Sequence, residues 1–382
     1  REMSVVRIPL LSEHSIGRYF QLTALSIAYS QGTASLRKAI EDSIEKEELI
    51  LSSNDHNQLI DILIKYLSSN VCQIKDTFGL SLYRSGRSDV EILNSIGLKT
   101  GARLKCSELV NFYNTGLYNQ KYSDSVKIPM YLRAYVFSFR RDMEKIEDTN
   151  VASLYLALIG AQISLISRVR KRDEVFELYV NSDASIEALI NGYKLYSLIN
   201  QPGSRINLAN LIQNIMDLEG LSLELSSIFS ITIYVYHVAK FVQQIPSLAN
   251  YYDLFEKFKL VCLKPMDRPL VVWERPLTLT HILKKLDKAN ALDLLISINY
   301  SIRHALSTKN VVKKFPDCLS TCINDLYASI ETDSIDPLVH CTGGLIRLNE
   351  TLEKKCSEGY ENACNSINDI NQLIRQISRL RP

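Results

Sequence analysis

Net charge is almost absent from this sequence: 44 lysines and arginines face 42 aspartates and glutamates, a formal balance of +2 over 382 residues. A chain so nearly neutral cannot steer a polyanion by its mean field, so an anionic partner has to be met by locally clustered cations. Long apolar runs are missing as well. The most membrane-like stretch, IFSITIYVYHVAKFV at residues 228–242, is shorter than the roughly 20 residues of a bilayer span. It also carries Ser230, Thr232, His237 and Lys240, so a buried helix is expected there and no membrane. No charged, apolar and small-residue leader opens the chain, and Arg1–Met3 ahead of SVVRIPLL reads as a remnant, which leads to the expectation of an intracellular, cytoplasmic protein.

Catalytic signatures are also lacking. The chain has no phosphate loop of the Gly-x-x-x-x-Gly-Lys-Ser/Thr kind, no Gly-x-Gly-x-x-Gly, no His-Glu-x-x-His and no Gly-x-Ser-x-Gly. His14, His56, His237, His281, His304 and His340 are scattered, without an acid or nucleophile at motif spacing. The expectation is therefore a protein that is not an enzyme, with no catalytic residue, no cofactor and no metal assigned. Paired Cys-x-x-Cys spacing is missing too, although there are eight cysteines, five of them late: Cys318, Cys322, Cys341, Cys356 and Cys364. Cys318 and Cys322 stack on one helix face, and His340 adjoins Cys341. Three readings stay open: small buried thiols, structural disulfides of the kind found inside hyperthermophile cells, and a metal site.

What is present is the composition of a folded protein, 46% hydrophobic and 23% charged, and longer than single cores usually grow, so two domains are expected. The pattern divides near residue 182. Residues 1–182 mix helix and strand; residues 183–382 read almost throughout as helix. The fold class is thus α+β and predominantly helical: a mixed N-terminal domain with a small sheet, followed by a C-terminal helical bundle.

In the first part, Phe20, Ala24, Ile27 and Ala28 recur at helical spacing before Gly32. Helices are expected at ASLRKAIEDSIEKEELI and at DHNQLIDILIKYLSS, the latter capped by Asn54 or Asp55. YLRAYVFSFRR, residues 131–141, alternates as a strand. A helix with a stripe of Leu156, Ile159, Ile163 and Ile166 follows, and then Phe176, Leu178 and Val180 alternate again, a unit long enough for a parallel crossover. Arg168, Arg170, Lys171 and Arg172 would then lie at its helix-to-strand connection, where cations favour the negative end of the helix dipole. Together with Arg140 and Arg141 they can also serve a basic groove, because arginine suits bidentate phosphate contact.

Two glycine-containing stretches add charge: YRSGRSD with Arg84 and Arg87, and GLKTGARLK with Lys99, Arg103 and Lys105. NFYNTGLYNQKY interleaves Asn111 and Asn114 with aromatics about Gly116, either as an ordinary turn or as a loop able to reach base edges. In the second part, Asp183, Ser204 and Ser222 are the expected helix caps, and Pro246 the stop of the helix that Ser222 starts. Pro265, Pro269 and Pro276 break any helix, with Trp273 pinning that connection. Further helices are expected near 279–288, 290–307, 317–331, 337–355 and 358–380, with Leu319, Ile323, Leu326 and Ile330 as one apolar stripe.

In arrangement, the chain resembles the large subunit of an archaeal type I-A CRISPR interference (Cascade) complex. The resemblance spans the whole chain, and LYLALIGAQISLISRVRKRDEVFELYV, a small-residue helix feeding a short strand, is its most similar stretch. It implies a non-catalytic role in RNA-guided DNA interference, in which base pairing reads the target and protein reads a short adjacent motif and supports the opened duplex. The implied partners are double-stranded DNA, the displaced single strand, guide RNA complex subunits and a helicase-nuclease. Asn111, Asn114 and Gly116 become candidates for minor-groove reading, and Arg84, Arg87, Lys99, Arg103 and Lys105 for phosphate contacts. A helical nucleoprotein coating RNA and a protein-protein scaffold are the competing readings.

Overall fold

The structure is a computed structural model and describes residues 5–11, 16–70, 126–127, 145–146, 151–182, 185–200, 207–241, 252–264, 270–277 and 279–380. It has a mixed N-terminal part with small antiparallel sheets and a predominantly helical C-terminal part. The chain forms two compact units, residues 1–203 with 257–276, and residues 204–256 with 277–382. This interleaved division differs from the expected single boundary after residue 182, because residues 258–264 and 270–276, expected outside the sheet, pair into it as strands.

In the first unit, β1 (Val5–Pro9) pairs antiparallel with β2 (Glu48–Ser52). Between them run α1 (Ile16–Gln31) and α2 (Ala34–Lys46). α1 is buried on nearly all sides, its stripe of Phe20, Ala24, Ile27 and Ala28 included. Its polar residues can be interior because each finds partners: the Gln21 amide donates to the carbonyls of Pro9 and Ser153 and accepts from the Leu11 N–H at 2.8 Å, while Arg18 donates to the Leu11 carbonyl. Thr33 caps α2, and Glu47 at φ 56° ends it. The residues Glu48–Ile50, expected to prolong that helix, instead lie in β2, where Leu49 and Leu51 are buried and Ile50 is exposed.

α3 (Ser53–Asn70) is capped ahead of the expected Asn54 or Asp55, since the Ser52 hydroxyl accepts the Asp55 N–H at 3.1 Å. Its buried face includes His56, only 2% exposed, whose imidazole pKa is lowered by burial to about 4. The unfolded chain, with an ordinary value near 6.5, takes up the proton first, so stability present above about pH 6.5 is lost progressively down to about pH 4, by about 3 kcal/mol at most. Urea unfolding of His56→Leu at pH 7 and pH 4.5 should show a smaller acid loss than the unsubstituted protein; equal losses would refute it.

β3 (Val126–Lys127) and β4 (Lys145–Ile146) form a two-residue antiparallel pair. The expected strand at 131–141 lies outside the described residues. α4 (Val151–Ser164) then passes directly, with no loop, into β5 (Leu165–Lys171), which turns back as β6 (Glu174–Ser182). The expected helix-to-strand connection of a parallel crossover is therefore corrected: Ile166 is on a strand, and β5 and β6 are an antiparallel hairpin.

β7 (Phe258–Lys264) and β8 (Leu270–Pro276) complete a four-stranded antiparallel sheet in the order β5-β6-β7-β8. Trp273, half-buried on β8, lies opposite Cys262. α5 (Ile186–Ile199) is capped by Ser185 rather than Asp183, with the Ala188 N–H donating at 3.1 Å. From α5, the Tyr196 hydroxyl donates to the Val180 carbonyl and lies 2.9 Å from the Thr23 hydroxyl, tying helix, strand and α1 together.

The second unit opens with α6 (Leu208–Met216), capped by Asn207 rather than Ser204 and ended by Asp217, with Gly220 at φ 88° in the turn beyond it. Ser222 starts α7 (Leu223–Phe241) as expected, its hydroxyl accepting the Leu225 N–H at 3.1 Å. Ser226, Ser227, Ser230 and Thr232 are buried, and each donates to the carbonyl one turn back, which makes this helix fit for an interior.

After α8 (Tyr252–Phe255) and the strands given to the first unit come α9 (Leu279–Lys288), α10 (Leu294–Thr308), α11 (Phe315–Thr332), α12 (Asp336–Ser357) and α13 (Glu361–Ser378). The expected stripe Leu319, Ile323, Leu326 and Ile330 is buried. Of the three cysteine readings the structure draws the disulfide one for two pairs: Cys322–Cys341 joins α11 to α12, and Cys356–Cys364 joins α12 to α13. Cys318 and Cys262 are free thiols. Among the described residues, no helix is long and apolar enough to cross a membrane, and no group of histidine, cysteine and carboxylate side chains could hold a metal ion.

Candidate nucleic-acid interface

The β5–β6 hairpin collects the described cations that the sequence singles out. Along β5, Ser167 and Val169 are buried while Arg168 and Arg170 are exposed, the alternation of a strand covered on one side. Arg172 takes a left-handed φ of 55°, so the chain reverses through Arg172 and Asp173 and sets Lys171 opposite Glu174. Arg170, Lys171 and Arg172 therefore stand exposed at the tip of a paired hairpin, not in the last turn of a helix. The helix-dipole explanation of these charges is thereby withdrawn.

The hairpin register divides the cations by role. Arg168 lies opposite Glu177, and its Nε is 3.7 Å from Glu177 Oε1. Glu177 is fully buried and also accepts the Tyr179 hydroxyl at 2.7 Å. A buried carboxylate needs such partners, which assigns Arg168 to holding the sheet. Glu174, beside the turn, is paired with Lys264 of β7, whose ammonium also lies 5.9 Å from the centre of the Phe176 ring. Lys171 and Arg172 are in no ion pair among the described residues, and Asp173 is the nearest carboxylate in sequence. The tip thus keeps an excess of positive charge after its neighbours are matched.

Arg84, Arg87, Lys99, Arg103, Lys105, Asn111, Asn114, Gly116, Arg140 and Arg141 lie outside the described residues. Sequence reading missed Glu177 and Lys264. Counting outward from a two-residue turn at Arg172–Asp173 would have placed Arg168 against Glu177; the Lys264 contact comes from β7, 90 residues on from Glu174, and has no local signal. No protein-family profile matches the chain, and no curated protein is significantly similar to it.

Proposed function

We propose that the chain is a non-catalytic subunit of an RNA-guided DNA-targeting assembly, which grips nucleic-acid phosphates with the tip of its β5–β6 hairpin. The observation that supports this reading is the exposure of Lys171 at the end of β5 and Arg172 in the turn, in no ion pair among the described residues, after Arg168 and Lys264 are committed to carboxylates. A hairpin tip is narrow enough to enter a groove or lie along a single strand, and its strand pairing fixes the cations before binding. In such an assembly the protein would read a short target-adjacent motif and support the opened duplex, with guide RNA complex subunits and a helicase-nuclease as its cytoplasmic partners.

A scaffold that touches no nucleic acid predicts a different salt response. Each phosphate contact releases counterions, so the observed affinity for a short duplex should fall with salt on a log–log slope of about −2 or steeper if two or three cations engage. Fluorescence anisotropy across a salt series measures it. Binding that is absent, or flat with salt, would return the chain to the scaffold reading.

A further inference from the structure

The second unit contains a cleft of about 670 Å³ between the turn that follows α10 and the facing sides of α11 and α12. Gly344 of α12 is part of its wall, where a Cβ would meet Cys318 Sγ at 3.5 Å. Val312, Leu348 and the Cys322–Cys341 disulfide supply apolar lining. Lys313, Lys314 and Arg347 supply charge, and Asp317 is the one carboxylate that lines the cleft.

Among the described residues, three cations thus face one carboxylate. Lys313, Lys314 and Arg347 are exposed and in no ion pair among the described residues, whereas Lys240, Lys285 and Lys355 of the same unit each take a carboxylate. His340, also on the lining, is engaged by Asp325 at 2.6 Å. Burial pushes the Cys318 thiol up to about 11, against the opposing pull of Arg347, so it adds no negative charge at neutral pH.

We propose that this cleft binds a small amphipathic anion, a carboxylate on an aliphatic body, with the head group at Lys313, Lys314 and Arg347 and the body over Val312, Leu348 and the disulfide. The volume falls within the roughly 300–1,000 Å³ of small-molecule sites. Among the described residues no aromatic side chain lines the cleft, so a nucleobase would find no stacking platform there. A free acid needs only the cleft itself, whereas a protein segment would need a continuing groove. This site is independent of the nucleic-acid reading, and either can fail alone.

Cys318, half-buried in the lining, reports occupancy. Its alkylation by N-ethylmaleimide, followed by peptide mass spectrometry without reductant, should be slowed saturably by octanoate, at least about tenfold, and little by the same concentration of 1-octanol. Lys313→Gln/Lys314→Gln/Arg347→Gln, whose unliganded labelling should itself be slower because Arg347 no longer favours the thiolate, should lose the protection, read as the ratio of its own rates with and without octanoate. If that variant labels faster without ligand, a sign of misfolding, Arg347→Gln alone is read in its place and should lose most of the protection. The proposal is overturned if octanoate gives the unsubstituted protein no protection, if octanol protects equally, if the folded variant stays protected, or if an acidic peptide protects and octanoate does not.

Discussion

Gly160→Ala should abolish cooperative folding of the first unit, or weaken it by about 3 kcal/mol or more, an effect at the large end for one methyl group. Gly160 on α4 lies against the backbone of α1: a Cβ there would sit 1.6 Å from the Phe20 carbonyl oxygen and 2.4 Å from its carbon. Those are main-chain atoms of a helix, so no rotamer can clear them and the two helices must move apart. α1 is the helix around which the unit is built, with Phe20 ring against ring on Tyr179 of β6 at 5.0 Å. Separation would open that contact and the Gln21 amide bond to the Ser153 carbonyl at 3.1 Å.

The substitution also raises helix propensity by about 1 kcal/mol, which the clash outweighs. Gly343→Ala in α12 isolates that gain, because its Cβ meets nothing closer than the movable Arg347 guanidinium at 3.8 Å. Circular dichroism during urea unfolding should therefore show opposite signs for the two glycine substitutions. A Gly160→Ala protein as stable as the parent would show that α1 and α4 do not pack this closely.

The helices of the second unit were legible because their stripes repeat at helical spacing and their ends carry punctuation; Leu319, Ile323, Leu326 and Ile330 are buried as that period requires. Caps were legible to within a few positions: Ser185 does what was expected of Asp183, and Asn207 what was expected of Ser204, because short polar side chains crowd both sites.

Strands were less legible, for a physical reason. In β7, Leu260, Val261, Cys262 and Leu263 are all buried, so both faces are covered and the two-residue period that marks a strand disappears. At β5 the difficulty was overlap: Ile163 and Ile166 continue the stripe of α4 across the junction, and the cations of the strand resemble the charged end of a helix. The pairing that corrects β7 lies far along the chain, in β6 against β7, and no local pattern encodes it, whereas β5 is corrected by its local hairpin with β6. At the candidate site the cations themselves were legible, but not their division into Arg168, held by Glu177, and the exposed tip.

Reversing the charge at that tip should have the largest effect on binding. Lys171 and Arg172 are exposed and hold no buried group in place, so Lys171→Glu/Arg172→Glu should keep the fold; the left-handed φ of 55° at Arg172 is already borne by a residue with a Cβ. Two attractive phosphate contacts become two repulsive ones, which should weaken binding to a short duplex by about 100-fold near 0.1 M salt. Arg168→Gln differs in kind, because it disturbs the partner of buried Glu177 and should lower stability more than affinity.

The most direct measurement is therefore the log–log salt slope of duplex binding for the parent and for Lys171→Glu/Arg172→Glu, at matched fold by circular dichroism. Loss of two phosphate contacts should make the variant's slope shallower by about 2. Equal slopes and equal affinities in the two proteins would contradict the claim that this hairpin holds nucleic acid.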